Sequence, residues 1–418
     1  MNAYPQYKNT GVQWLGDIPE HWEVGKLGRI LKPFSEKNHP DLPLLSITRE
    51  LGVIERDTEN QDENHNFIPD DLSGYKLLKK GQFGMNKMKA WQGSYGVSPF
   101  TGIVSPAYFV FDFIHKINPD FFHWAIRSKL YVSFFGSASD GVRIGQWDLS
   151  KSRMKNIPFV IPPLSEQTAI ADFLEQREAR IQKAVSLKNE QIAKLKEYRQ
   201  ALINQTVCQG LYSGCPTKNT NIQWLGNIPE HWEVKKLKYV LQLSTEKTES
   251  KKLDLRYIGM ENIVSHTGEL TENILEADGV ANVFYKDEIL FGKLRPYLSK
   301  VYLAQMNGIC STEFLVYKIS KQIFNKFAFY LMICQKFIEM VNSSTYGTKM
   351  PRANSEFCAN LFIPIPPISE QTEIAAYLDQ KTAQIDTAIR RYQQQIALLK
   401  EYQQCLISDA VTGKIKVA

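Results

Sequence analysis

The chain contains an internal duplication. Residues 9–27 read NTGVQWLGDIPEHWEVGKL and residues 219–237 read NTNIQWLGNIPEHWEVKKL, so 15 of 19 positions are identical. A second pair follows in the same order, IPPLSEQTAIADFLE at 161–175 and IPPISEQTEIAAYLD at 365–379. Solenoid repeats recur every ~20–50 residues. A period near half of the 418 residues instead gives two copies, each long enough to bury its own core. We call these four repeated segments the frame.

Between the frame segments the two halves diverge. Residues 28–156 and 238–360 share only scattered echoes, such as Phe83-Gly84 with Phe291-Gly292 and Lys87 with Lys293. Ordinary drift after duplication would not spare the frame so selectively. The pattern therefore favours a shared scaffold that presents two different recognition surfaces.

Two long helices are predicted from the frame. Pro162-Pro163 and Pro366-Pro367 exclude helix before Ser165 and Ser369, which are suitable N-caps. Glu166 suits a first turn, where a carboxylate meets the positive end of the helix dipole. No Gly or Pro follows before the helix ends near Val207 in the first copy and Val411 in the second. We predict a first helix at 165–207 and a second one, with a tail, at 369–418. Each helix is about 42 residues, or roughly 60 Å long.

Both predicted helices carry an apolar seam whose spacing alternates between 3 and 4 residues, which is the period of a coiled coil. The first seam comprises Ala171, Leu174, Glu178, Ile181, Val185, Lys188, Ile192, Leu195, Arg199 and Leu202. The second comprises Ala375, Leu378, Thr382, Ile385, Ile389, Tyr392, Ile396, Leu399, Gln403 and Leu406. We predict that the helices pair antiparallel, with one globular domain at each end. Polar positions such as Lys188, Arg199 and Gln403 are typical of residues that set the register.

The globular segments, 1–164 and 208–368, are predicted to mix strands and helices. Short β-branched or aromatic runs predict strands at 42–48, 107–114, 255–259 and 312–319. Apolar stretches predict buried helices at 121–135 and 325–342. The expected fold class is α+β: two mixed α/β domains separated by two long antiparallel coiled-coil helices, related by an internal pseudo-twofold repeat.

Signs of catalysis are few. The sequence contains no glycine-rich phosphate loop and no nucleophile elbow, and no histidine has a metal-ligand spacing. IPPL and IPPI resemble the Pro-Pro of adenine methyltransferase motifs, but they lack its polar residue and stand at a helix entry. His21 and His231 belong to the frame, so we expect them to cap or pack. The six cysteines form no CxxC pair, and the sequence has no secretory signal or bilayer-length apolar run. A cytoplasmic protein is expected.

Basic residues concentrate in the divergent interiors, although the net charge is only +6. Residues 72–111 and 289–311 contain no acidic residue, and their Lys and Arg are interleaved with amide and aromatic side chains. Lys and Arg neutralise phosphates, while Arg, Asn and Gln can read base edges. Matched serine-rich loops at 136–157 and 342–361 add further candidates. The predicted DNA contacts are Lys87, Lys89, Trp91, Ser94, Tyr95, Arg143, Gln146, Lys293, Arg295, Tyr297, Lys300, Lys349, Arg352 and Asn354.

The repeated WLGxIPEHWEV, the helices after IPP[LI]SEQ and the divergent interiors resemble the specificity subunit of type I restriction-modification systems. The resemblance implies that 1–164 and 208–368 are target recognition domains, each reading one half of a bipartite, asymmetric double-stranded DNA target. It implies two modification (methyltransferase) subunits docked on the helices and frame, and restriction (translocase/nuclease) subunits in the larger complex. No cofactor is then expected in this chain, because S-adenosylmethionine would bind the modification subunit.

Two other functions are compatible with parts of the sequence. One is an enzyme, a methyltransferase or nuclease with an unfamiliar site. The other is a coiled-coil scaffold without DNA specificity, against which the selective divergence of the interiors argues.

Overall fold

The computed structural model describes residues 3–57, 68–114, 116–141, 147–212, 214–250, 255–273, 279–347 and 349–417. The chain divides into two compact units. The first unit contains Met1–Lys188 and Gln394–Ala418, and the second contains Asn189–Gln393. Each unit therefore holds one globular segment and part of both long helices. The predicted segments 1–164, 165–207, 208–368 and 369–418 divide the chain by element instead, and they stay a prediction.

The first globular segment is a mixture of short strands and short helices. Its described strands are β1 (Tyr7–Asn9), β2 (Asp17–Pro19), β3 (Glu23–Lys26), β4 (Leu31–Phe34), β5 (Leu45–Thr48), β6 (Gly52–Glu55), β7 (Lys76–Leu78), β8 (Phe83–Met85), β9 (Tyr95–Val97), β10 (Gly102–Val104), β11 (Phe109–Phe113), β12 (Ser139–Asp140), β13 (Asp148–Leu149) and β14 (Pro158–Ile161). Its helices are α1 (Leu27–Ile30), α2 (Pro119–Arg127), α3 (Lys129–Ser137) and α4 (Lys151–Lys155). The first long helix, α5 (Leu164–Gln209), follows.

The second globular segment has the same mixture. Its described strands are β15 (Thr217–Asn219), β16 (Asn227–Pro229), β17 (Glu233–Lys236), β18 (Leu241–Leu243), β19 (Lys247–Glu249), β20 (Tyr257–Ile258), β21 (Val280–Phe284), β22 (Ile289–Gly292), β23 (Val301–Leu303), β24 (Gly308–Cys310), β25 (Phe314–Ile319) and β26 (Phe362–Ile365). Its helices are α6 (Asn325–Ile333), α7 (Gln335–Ser343) and α8 (Ser355–Asn360), and the second long helix is α9 (Ile368–Val411).

Both segments contain a four-stranded antiparallel sheet of the same order, β4-β11-β8-β9 in the first and β18-β25-β22-β23 in the second. The registers correspond, since Val110 lies opposite Gly84 and Val316 lies opposite Leu290. The frame also closes each segment in the same way, because β3 pairs with β14 and β17 pairs with β26. The predicted α+β class with an internal repeat is confirmed.

The prediction of one apolar helix in each of two stretches is wrong, because each stretch forms two helices. The stretch predicted at 121–135 is α2 and α3, and the stretch predicted at 325–342 is α6 and α7. Ser128 and Cys334 take extended backbone angles that end one helix and begin the next. The apolar pattern continues across each break because helices on both sides bury residues, so periodicity did not reveal it.

The long helices extend slightly beyond their predicted limits. Helix α5 begins at Leu164, so Ser165 lies within the first turn and is not the N-cap. The carbonyl of Pro163 accepts the first helical hydrogen bond, from the Gln167 amide at 2.9 Å. The apolar seam is confirmed, because every seam position on both helices is buried or half-buried.

Polar seam residues pair across the two helices within each unit. In the first unit, Lys188 donates to Gln395 and Gln403 donates to Glu178. In the second unit, Arg199 Nε lies 3.4 Å from Asp386 Oδ1. Residue numbers rise on one helix as they fall on the other, so the pairing is antiparallel as predicted.

The core of the first unit joins its globular segment to both helix ends. Phe83, Phe122 and Phe159 pack in one buried cluster that also contains Leu174 of α5 and Val411 of α9. The second unit buries Phe284, Leu290 and Val316 around its own sheets. Within the described part of the chain, none of the helices is both long and apolar enough to cross a bilayer.

Candidate nucleic-acid interface

Each long helix begins at a carboxylate held by the frame. In the first unit, Glu166 accepts hydrogen bonds from Trp22 Nε1 at 3.0 Å and Tyr4 Oη at 2.7 Å, and it lies 2.6 Å from His21 Nε2. Burial alone would raise the pKa of Glu166, but the bonds from Tyr4, His21 and Trp22 outweigh it, so the pKa lies below its usual value. We call these four residues the first carboxylate cluster.

The second carboxylate cluster repeats this arrangement with one donor fewer among the described residues. Glu370 accepts from Trp232 Nε1 at 2.9 Å and lies 2.6 Å from His231 Nε2. The described tyrosine nearby, Tyr212, donates to Glu373 instead. Both frame histidines therefore hold the helix starts, which is the structural role predicted for them.

The glutamine that follows each cluster carboxylate explains why the Ser-Glu-Gln motif is repeated. Gln167 is buried, donates to the Pro162 carbonyl and accepts from the Asn118 amide, both at 2.8 Å. Gln371 donates to the Pro366 carbonyl at 2.8 Å and accepts from the Phe324 amide at 2.7 Å. Each glutamine thus joins the start of a long helix to the N-cap residue of a short helix, α2 in the first segment and α6 in the second. The frame fixes the platform on which the divergent loops stand.

The candidate contacts concentrate on one equivalent loop of each sheet. The first hairpin loop, 86–94, joins β8 to β9, and the second, 293–300, joins β22 to β23. Each contains a 3₁₀ turn, Ala90–Gln92 in the first and Pro296–Leu298 in the second. Counting from these turns, Lys87, Lys89 and Trp91 match Lys293, Arg295 and Tyr297. The two loops therefore share a basic-x-basic-x-aromatic pattern.

Each hairpin loop is joined to the serine-rich loop of the same unit by the same backbone hydrogen bond. The Lys87 carbonyl accepts from the Leu149 amide at 3.1 Å, and the Lys293 carbonyl accepts from the Ala353 amide at 2.8 Å. Helix α4 follows Leu149 and helix α8 follows Ala353, each after one cap residue. The structure therefore brings together the two predicted sets of loops in both units. We call residues 86–94 with 147–150 the first loop pair, and 293–300 with 346–354 the second.

The first loop pair covers part of its own side chains. Lys87 Nζ lies 3.0 Å from Asp148 Oδ2, and the rings of Trp91 and Trp147 lie 5.1 Å apart. Three further lysines lie near this loop pair, since burial together with the charges of Lys151, Lys37 and Lys87 lowers the pKa of Lys76. Several lysines therefore lie beside this loop pair even though Lys87 is paired with Asp148.

The second loop pair leaves its aromatic residue uncovered. Tyr297 is 47% exposed, and Arg295 and Lys349 are also exposed. Arg352 is held by Glu313 through two guanidinium nitrogens, Nε at 3.1 Å and Nη2 at 3.0 Å. Bidentate pairing fixes the plane of the guanidinium group and occupies much of its donor capacity.

Two of the predicted contacts are wrong. Tyr95 and Ser94 are buried inside the first unit, and burial raises the pKa of Tyr95 well above its usual value. Both residues follow the basic run in the sequence, but β9 turns inward where the hairpin loop ends.

Other predicted contacts carry structural bonds or stay untested. Lys300 donates to the Met260 carbonyl at 2.6 Å, and the Asn354 side chain caps α8 by accepting from Glu356 and Phe357 amides. Arg143 and Gln146 lie outside the described residues. The half-buried or exposed members Lys87, Lys89, Trp91, Lys293, Arg295, Tyr297, Lys349 and Arg352 stay predicted contacts.

Two lysines near the first loop pair were missed. Lys151, at the start of α4, places its Nζ 4.3 Å from the centre of the Phe109 ring, and Lys37 pairs through its backbone with Lys76. Lys151 lies in the serine-rich loop at 136–157, which was the available signal, whereas Lys37 lies outside both the acid-free run and that loop. Among the described residues, no three His, Cys, Asp or Glu side chains come together as a cation site requires.

Comparison with known families bears on both units. The family described as "Type I restriction modification DNA specificity domain" matches residues 19–197 and again 229–397. The chain belongs to this family. The two matches of the specificity family coincide with the internal duplication, so each copy is one DNA specificity domain, and the type I resemblance seen in the sequence is confirmed.

Individual relatives of the specificity family align along almost the whole chain. The type I restriction enzyme EcoDI specificity subunit of Escherichia coli is 24% identical, with 96% of this chain and 90% of that protein covered. The MjaVIII specificity subunit of Methanocaldococcus jannaschii is also 24% identical, with 96% and 94% covered.

Solved structures share the fold. A chain from "Structural basis underlying complex assembly and conformational transition of the type I R-M system" superposes with a TM-score of 0.70 at 16% identity, covering 95% of this chain and 99% of that one. The HsdS subunit of Thermoanaerobacter tengcongensis superposes with a TM-score of 0.54 at 16% identity, covering 97% and 100%. At these identities the two superpositions show a shared fold.

Proposed function

We propose that the chain is the non-catalytic DNA-recognition subunit of a cytoplasmic type I restriction-modification complex. Each unit reads one part of a bipartite, asymmetric target in double-stranded DNA. Two modification subunits carry S-adenosylmethionine and transfer the methyl group, and restriction subunits join them to translocate and cleave DNA. The lengths of the long helices set the spacer between the two half-sites.

The observation that carries the proposal is the pair of matched hairpin loops. Both loops leave equivalent strands, share one backbone bond to a serine-rich loop, and place basic residues two positions apart. Phosphate contacts of this kind position a protein on DNA, whereas base contacts specify the sequence. Because Trp91 and Tyr297 differ, as do Asp148 and Arg352, the two half-sites should differ too.

Exposed apolar residues on the long helices support the docking of partner subunits. In the first unit, Leu187, Leu398 and Tyr402 are exposed, and Leu398 is 63% exposed. Each residue directly precedes a seam position. In an antiparallel pair such positions fall on the same flank of both helices, so the three form one apolar strip. A strip of this kind on a helical pair suits the apolar face of further helices.

The test is methylation mapping with a modification subunit of the same system. We expect methylated adenines within a single split sequence whose two parts are unrelated. Exchanging the first hairpin loop, 86–94, for the second, 293–300, should alter one part and leave the other part and the spacer unchanged. A palindromic or unsplit target, or simultaneous change of both parts, would contradict the proposal.

The enzyme hypothesis has its own test. The purified chain, incubated alone with S-adenosylmethionine and target DNA, should transfer no methyl group and cut no strand. Methyl transfer by the chain alone would contradict the proposal that partner subunits carry the catalytic activity. In gel shifts with the modification subunit present, a lack of sequence preference would instead favour a scaffold.

A further inference from the structure

Tyr297 and Trp91 occupy the same position in the two hairpin loops but differ in what covers them. Each is the middle residue of a 3₁₀ turn, Pro296–Leu298 in one loop and Ala90–Gln92 in the other. Trp91 is half-buried, and its ring lies 5.1 Å from that of Trp147. Tyr297 is 47% exposed. A large ring left in solvent on a loop with matched basic residues suggests a surface that is completed by a ligand.

The turn that carries Tyr297 is held rigidly. Arg295 and Ser299 both have left-handed backbone angles, with φ of 51° and 47°, although neither is glycine. Such conformations persist where the surroundings impose them, and they concentrate at binding sites. The Arg295 amide donates to the Pro351 carbonyl at 2.7 Å, and the Ser299 amide donates to the Pro296 carbonyl at 2.8 Å. The ring therefore stands on a turn whose backbone is fixed on both sides by these bonds.

Cations precede the ring on the same hairpin loop. Lys293 is anchored through its backbone, since its amide donates to the Glu313 carbonyl at 2.9 Å and its carbonyl accepts from the Ala353 amide at 2.8 Å. Arg295 is exposed two residues further on. The adjoining loop adds exposed Tyr346 and Met350. Cations can hold the phosphates beside a base step while an apolar side chain enters it, which is how wedge residues kink DNA.

We infer that Tyr297 is an apolar wedge that enters between two base pairs of the half-site read by the second unit. The inference rests on the proposed function, because it needs the second loop pair to face DNA. Trp91 is covered by Trp147, so the half-site read by the first unit stays stacked. The second half-site is therefore selected in part by how readily one of its base steps opens, a form of indirect readout that favours flexible pyrimidine–purine steps.

The test uses the chain in complex with its modification subunit and duplexes carrying 2-aminopurine, whose fluorescence rises when it is unstacked. The probe is moved through both half-sites, and the methylated adenine is left out because methyl transfer itself takes a base out of the stack. Wild type is compared with Tyr297→Phe, Tyr297→Ala and a control, Tyr239→Ala, which removes an exposed tyrosine outside the loop pair. Thermal melting of the free variants checks that they fold.

We expect a fluorescence rise at one step of the second half-site with wild type, Tyr297→Phe and Tyr239→Ala. Tyr297→Ala should lose the rise and bind roughly ten-fold more weakly, as for loss of one stacked base. If Tyr297→Phe loses as much as Tyr297→Ala, the hydroxyl bonds a phosphate and the wedge is overturned. Unchanged binding and fluorescence in Tyr297→Ala also overturns it. A wild-type complex without sequence preference would instead defeat the proposed function itself.

Discussion

The first and second units are built on one plan and differ in how their side chains are covered. In the first unit, Asp148 pairs with Lys87 and Trp147 covers Trp91. In the second unit, Arg295 and Tyr297 stand exposed on the equivalent loop. The carboxylate clusters differ as well, because Tyr4 gives Glu166 a third donor. Duplication has therefore kept the backbone bonds that position the loops and changed the groups available to a ligand.

The largest effect should come from removing the cluster carboxylates. Glu166→Ala should destabilise the first unit by about 3 kcal/mol, because it leaves the buried Trp22 donor and Tyr4 without their acceptor. Glu370→Ala should cost the second unit about 2 kcal/mol, since one fewer bond is lost. Hydrogen exchange in peptides covering 3–23 and 217–233 measures each unit separately. Glu175→Ala, an exposed carboxylate on the same helix as Glu166, is the control. Equal losses of stability in the two units would show that the bond from Tyr4 does not stabilise the first cluster.

Next in size is the effect of the exposed cations on DNA binding. Lys293→Ala with Arg295→Ala should reduce the slope of log affinity against log salt by about 2, as for two lost phosphate contacts. Lys87→Ala with Lys89→Ala should reduce it by about 1, because Lys87 is already paired with Asp148. Titrations at several salt concentrations measure the slopes. The Lys293 and Arg295 changes lie in the second unit, so they should leave reading of the first half-site intact. Altered first-half reading with unchanged affinity would refute the assignment.

A smaller effect should appear in the pH dependence of stability. The folded pKa of Glu166 lies below the usual value of 4.5. A lowered carboxyl pKa stabilises the fold above the unfolded pKa, and this stabilisation is lost as the pH falls through the folded value. The stability difference between wild type and Glu166→Gln should therefore be constant from about pH 5.5 to 7.5 and shrink below about pH 4.5. Denaturant unfolding at each pH measures it, and a difference that grows on acidification would contradict the bonding described for the first cluster.

The smallest effect should follow from releasing Lys87. Asp148→Asn breaks an exposed ion pair of the first loop pair, and such pairs contribute little to stability. DNA affinity should rise about two- to five-fold, because the freed ammonium group becomes available to a phosphate. Asp172→Asn removes the same charge from an exposed position on α5 and should change affinity less. Equal increases would show that only net charge matters.

The features that could be predicted are those that depend on local or repeated sequence patterns. The seam of α5 and α9 follows from heptad spacing, and the antiparallel pairing follows from the duplication. The carboxylate clusters could not be predicted, because Glu166 and His21 are 145 residues apart and only the fold joins them. The break at Ser128 could not be predicted because both flanking helices bury apolar residues. The burial of Tyr95 could not be predicted because the composition of the loop does not show where the strand turns inward.

The first unit closes with residues from both ends of the chain. Leu406 and Val411 belong to the same buried cluster as Trp22 and Leu174, whereas the second unit is one continuous stretch. On the ribosome, residues up to Lys188 are made before those from Gln394 onward, so the first unit waits for its second segment. At about 5–20 residues per second, the 205 residues between Lys188 and Gln394 take roughly 10–40 s to synthesise. During that interval Trp22 and its neighbours lack the cover that Leu406 and Val411 supply, so the nascent first unit exposes apolar surface that a chaperone could protect.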